Sequence, residues 1–101
     1  MEKLIYICSP YKGNVVKNTK FAIECCKYAM PHGIPFAPHL YFTQFLDDRN
    51  PEEREKGLEY GLQILEMCDE VWVFGEHISE GMGREIRTAE KLGKAVKYCG
   101  I

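Results

Sequence analysis

The chain lacks the features that mark several protein classes. It has no basic cluster: 13 lysines and arginines are scattered among 15 acidic residues, for a net charge of −2. A partner that is a nucleic-acid polymer, held through neutralised phosphates, is not expected. No apolar run approaches the ~20 residues needed to span a bilayer, and no charged-then-apolar leader opens the chain. The expectation is a cytoplasmic protein with no membrane partner. The five cysteines are Cys8, Cys25, Cys26, Cys68 and Cys99. Their odd number, and the apolar surroundings of four of them, read as reduced core thiols. Cys25-Cys26 is not a CxxC pair, and no spacing suggests a zinc site, so neither metal nor cofactor is expected. Internal repeats and low-complexity segments are also missing.

What is present is an ordinary globular mix over 101 residues, 46% hydrophobic and 28% charged. The length predicts one domain over residues 1–101. A chain this short buries at most roughly 60–70% of its unfolded surface. A deep pocket would therefore borrow walls from a second copy, which predicts a homodimer or higher homo-oligomer.

Strand and helix periods alternate along the chain. Leu4-Ile5-Tyr6-Ile7-Cys8 is a continuous apolar run, as expected of a strand covered on both faces. Ser9–Asn14 reads as a loop. From Val15 to about Met30, Val15, Ala22, Cys26 and Ala29 fall near helical spacing, and Pro31-His32-Gly33 ends that helix. Ile34–Ala37 is a short second strand between prolines, and Pro38–Asn50 reads as a loop. Asn50 can cap a helix that has Pro51 at its first position and Glu52 and Glu53 near the positive end of its dipole. Leu58, Leu62 and Leu65 form its apolar stripe. Val71–Phe74 is a buried strand, and Gly75–Ser79 is a loop. A helix follows to about Leu92, Gly93 is a left-handed stop, and Ala95–Tyr98 is a last strand.

The order β-α-β-α-β-α-β predicts a Rossmann-like, flavodoxin-like three-layer α/β sandwich with a parallel sheet of about four strands. Ligands of such sheets bind beyond the carboxyl ends of the strands. The loops Ser9–Asn14, Pro38–Asn50 and Gly75–Gly83 all leave a strand end and should meet at one rim.

The segment Ser79-Glu80-Gly81-Met82-Gly83-Arg84-Glu85 carries the most chemistry. Gly81 and Gly83 stand where a helix begins, although glycine costs ~1 kcal/mol against alanine in a helix. They can bring backbone N–H groups close to an anion, and Ser79 can donate its hydroxyl there. Equally, Ser79 can simply cap the helix while the glycines make a turn. Glu85 lies about one turn further on. A carboxylate beside a bound sugar can attack its anomeric carbon; it can also be an ordinary glutamate favouring the helix dipole.

These residues resemble the nucleoside 2-deoxyribosyltransferase superfamily, and within it the deoxynucleoside 5′-monophosphate N-glycosidases. The shared pattern is Ser-x-Gly-x-Gly-x-Glu-Ile after an apolar strand, then small residues and Gly93-Lys94. Tyr6-Ile7-Cys8-Ser9-Pro10-Tyr11-Lys12-Gly13 is similar to the family's first strand and its nucleotide-contacting loop. Pro38–Gln44 is similar to smaller bacterial and phage members. The resemblance implies a Glu85 nucleophile and a site shared between subunits. It places Ser79, Gly81, Met82 and Gly83 around the sugar and any phosphate, and Ser9, Lys12, Gly13 and His39 around the substrate. Tyr11 would orient Glu85 or stack on a base. Tyr11, Lys12 and His39 can equally be a packed rim aromatic, a solvated charge and a loop-bonded histidine.

The family also places an aspartate in the helix before the third strand, a set distance ahead of the Asp that begins that strand. Here that Asp is Asp69, and the expected position holds Gly61. The nearest carboxylate is Glu59, and positions two apart face different ways on a helix. Glu59 joins the catalytic set only if the helix is turned. Asp69 itself, at the amino end of its strand, reads as structural. Arg49 and Arg54 can reach an anionic ligand or remain solvated.

The functional expectation is an N-glycosidic enzyme that cleaves or transfers the 2-deoxyribosyl group of a deoxynucleoside or its 5′-monophosphate. The alternative is a nucleotide-sensing module of the same fold without turnover, which Gly61 favours. A third reading makes the rim aromatics Tyr41, Phe42 and Phe45 an oligomer interface of a structural subunit.

Overall fold

In the computed structural model, which describes residues 2–101, strands β1 (Leu4–Cys8), β2 (Ile34–Phe36), β3 (Glu70–Phe74) and β4 (Ala95–Cys99) form one sheet. Its order is β2-β1-β3-β4, and every pairing is parallel. The register sets Leu4 beside Ile34, Ile5 beside Glu70, and Val71 beside Val96. The reversal of strand order between β1 and β3 is where such a sheet opens a crevice at its carboxyl ends.

Side chains alternate across a strand, and the two faces of the central strands pack against different helices. Ile5, Ile7, Trp72 and Phe74 meet Ala22, Cys25 and Ala29 of α1 (Val15–Ala29). Tyr6, Cys8, Val71 and Val73 meet Leu65 of α3 (Pro51–Met67) and Met82, Ile86 and Ala89 of α4 (Glu80–Lys91). The result is the expected three-layer α/β sandwich. Among the described residues, no helix is long and apolar enough to cross a membrane.

The helix ends follow local chemistry. Asn50 accepts hydrogen bonds from the amides of Glu52 and Glu53, at 3.0 and 3.3 Å. Ser79 accepts from the Met82 amide at 3.2 Å. Gly93 has φ +71°, the left-handed conformation that ends α4. Gly33 is required by a close approach: a Cβ there would stand 2.6 Å from the Lys3 carbonyl oxygen. Asp69 ties the amino ends of β1 and β3, its carboxylate accepting from the Leu4 amide at 2.7 Å while its own amide donates to the Leu4 carbonyl.

One segment departs from its expectation. Pro38–Asn50 reads as a loop in the sequence, but it begins with the short helix α2 (Pro38–Tyr41) and a 3-10 turn over Phe42–Gln44. Pro38 at the first helical position, a Thr43 hydroxyl bonded to the His39 carbonyl at 2.6 Å, and edge-to-face contacts among Tyr41, Phe42 and Phe45 stabilise it. β2 also ends at Phe36, one residue early, because Ala37 becomes the residue before this helix.

Candidate active site

α4 carries Glu85 on its inner face. Met82, Glu85, Ile86 and Ala89 recur at helical spacing, and all four are buried. A carboxylate in that stripe loses water, and Glu85 is only 8% exposed. Its partner comes from β1: the Tyr6 hydroxyl donates a hydrogen bond to Glu85 Oε2. Tyr6 is fully buried, so this hydroxyl requires an internal partner.

Burial pushes the Glu85 carboxyl up to about 7, while its contacts with Tyr6 and Cys8 act in the opposite direction. Tyr6 is raised well above the ordinary tyrosine value, by burial first and then by the Glu85 charge. Cys8 is raised for the same two reasons. Near neutral pH, Glu85 is thus the one member of this trio that exchanges its proton.

Glu85 and Tyr6 form the floor of a cavity of about 70 Å³. Tyr11, His39, Thr43, Leu46, Asp48, Glu53, Arg54 and Leu58 also line it. Tyr11 stacks on His39, with ring centroids 4.8 Å apart. His39 Nε2 lies 3.1 Å from the Ser9 carbonyl oxygen, and burial lowers its pKa below the usual histidine value. A second, more open hollow of about 560 Å³ adjoins it and shares Tyr11, Thr43, Leu46, Asp48 and Glu53. The inner cavity alone is smaller than the roughly 300–1,000 Å³ usual for ligand pockets; with the outer hollow it has room for a two-part ligand.

The sequence-derived residues divide into groups. Glu85, Tyr11 and His39 share the inner cavity. The hydrogen bond to Glu85 comes from Tyr6 rather than Tyr11, which packs on His39. Ser9 is buried behind this wall, and its hydroxyl has no partner among the described residues. Lys12 and Gly13 are exposed outside both hollows, with Gly13 at φ +96° leading into the α1 cap.

Ser79 serves as the α4 cap, and Gly81 and Gly83 lie inside the first turn of that helix. Met82 points into the core, and its carbonyl accepts from the Cys8 thiol at 3.7 Å. Glu59 is exposed and lines neither hollow. Gly61 is buried, and a Cβ there would come 3.1 Å from the Tyr6 hydroxyl. Position 61, where the resemblance leads one to expect an aspartate, therefore lies against the Tyr6 hydroxyl that bonds Glu85.

Tyr6, Asp48 and Glu53 escaped sequence reasoning. A signal for Tyr6 existed: one hydroxyl in an otherwise aliphatic buried strand must find a partner. Among the described residues, no group of three or more His, Cys, Asp or Glu side chains could hold a metal ion.

A family model described as a domain of unknown function, DUF7768, matches residues 3–99. The solved structure of a 2-deoxyribosyltransferase from the psychrotolerant bacterium Bacillus psychrosaccharolyticus superposes with a TM-score of 0.71. That match covers 96% of this chain and 72% of the other, at 19% identity, and is a likeness of fold. No curated protein matches by sequence.

Proposed function

We propose, from the premise that this chain belongs to the DUF7768 family and has the fold of a 2-deoxyribosyltransferase, that it is an N-glycosidic enzyme with Glu85 as its nucleophile. The observation that carries this reading is Glu85 itself, a buried carboxylate held by Tyr6 at the floor of a cavity at the sheet's carboxyl rim.

The ionised Glu85 attacks C1′ of a deoxynucleoside or its 5′-monophosphate, and the bond from C1′ to the base breaks. The base leaves with the bonding electrons and takes up a proton from solvent, which regains one when the incoming water or second base is deprotonated on attack. The sugar is held as an ester of Glu85 until water or a second base attacks C1′ and frees the carboxylate. Tyr6 positions the carboxylate and remains protonated. Tyr11 and His39 offer a flat stacked wall for a base.

Five thiols free of disulfides suit a reducing, cytoplasmic setting. The small inner cavity and its open outer side suit a homo-oligomer in which a neighbouring copy closes the site.

A panel of deoxynucleosides and their 5′-monophosphates, assayed for released base, tests the reading. Release by the wild type that disappears in Glu85→Ala supports it. Binding without release by either protein overturns it in favour of a nucleotide-sensing module. One observation favours that second reading: position 61, against the Tyr6 hydroxyl, holds a glycine and so offers no carboxylate of its own there.

A further inference from the structure

The charges around the cavity bear on whether its sugar carries a phosphate. Three carboxylates line the inner cavity, those of Glu85, Asp48 and Glu53, against one cation, Arg54. The outer hollow adds Asp47 and Arg49, which offset each other: Arg49 Nε and Nη2 lie 3.1 and 3.3 Å from the Asp47 carboxylate. Burial disfavours the charged form of His39, against the opposing pull of the Ser9 carbonyl and Asp48. Lys12 lies outside both hollows.

Hydrogen-bonding character runs the same way. Ionised carboxylates only accept, and a phosphate dianion brings acceptors and negative charge of its own. Hydroxyls, exocyclic amines and ring N–H groups bring the missing donors. Glu53 is already oriented, since its Oε1 accepts from the Asp47 amide at 3.0 Å.

We infer that this cavity selects the unphosphorylated deoxynucleoside over its 5′-monophosphate, with Asp48 and Glu53 as the specificity-determining residues. This selectivity rests on the deoxynucleoside reading of the site proposed above, yet it belongs to binding and is measured without turnover.

Calorimetric titration of the Glu85→Gln protein with deoxynucleosides and their 5′-monophosphates tests it. At low ionic strength the monophosphates should bind at least about tenfold more weakly, and added salt should narrow the gap. Adding Asp48→Asn and Glu53→Gln should bring the two ligand classes to within about threefold. Asp48→Asn alone should narrow the gap in the same direction; the Asp48 side chain makes no hydrogen bond among the described residues, so this variant keeps the fold. Equal or tighter monophosphate binding, a gap unmoved by these substitutions, or no binding of either class overturns the inference. If the gap appears but the wild type releases no base, the glycosidic reading fails and the selectivity stands. If base is released and monophosphates bind better, the reverse holds.

Discussion

Glu85 joins stability and reactivity through a single proton. Its carboxyl titrates near 7 in the folded chain, against an ordinary value of 4.5. Below about 4.5 both states hold the proton and burial carries no ionic penalty. As pH rises from there, the unfolded chain ionises first, so folded stability falls until the folded carboxyl has also titrated, near 7. Glu85→Gln should therefore stabilise the protein by up to about 3 kcal/mol at pH 8 and by little at pH 4.5. Denaturant midpoints at the two pH values check this, and an equal gain at both would refute it. On the proposed mechanism the same ionisation arms Glu85 for attack, so the protein is expected to gain activity over the pH range in which it loses stability.

At the scale of elements, α4 combines a weak helix start with an essential inner face. Gly81 occupies its first turn, with open space where a methyl group would stand and without a positive φ. Gly81→Ala should raise stability by about 0.5–1 kcal/mol, read as a higher denaturant midpoint at constant slope. A loss would mean that the turn needs a bare Cα. Much of this element is legible in the sequence: its span, the Gly93 stop, and capping as one of the two readings of Ser79. The burial of Glu85 follows from the spacing of Met82, Ile86 and Ala89, a stripe that passes through position 85.

The other walls of the site are harder to read. Asp48 reaches the cavity from the stretch that follows α2 and the 3-10 turn, and Glu53 from the first turn of α3. That turn packs its aromatics on Phe36 at the end of β2 and on Tyr60 in α3. Local propensity carries no record of such contacts. Tyr6 poses a similar difficulty. Its place on a buried strand is plain, but which helix meets its hydroxyl depends on the layer to which α4 returns.

For the molecule as a whole, the aromatic rim bears on assembly. Tyr41 and Phe45 are 56% and 55% exposed, beside the partly buried Phe42. Such a patch, next to a hollow open on one side, fits contact with a second copy of the chain. Sedimentation should show a dimer or larger species, and Phe45→Glu should shift it toward monomer. A wild type that stays monomeric at every accessible concentration would count against the shared site.

The Tyr6–Glu85 hydrogen bond also has a consequence in time. Its partners are 79 residues apart, near opposite ends of the described chain. On the ribosome, β1 can pair with β2 early, but its other edge waits for β3, and Tyr6 waits longer still for α4. A nascent chain interrupted before α4 emerges leaves that hydroxyl without its carboxylate. Glu85 and the hydroxyl that holds it are united only once α4 has been made, so on the proposed mechanism a chain stopped before α4 carries no active fragment.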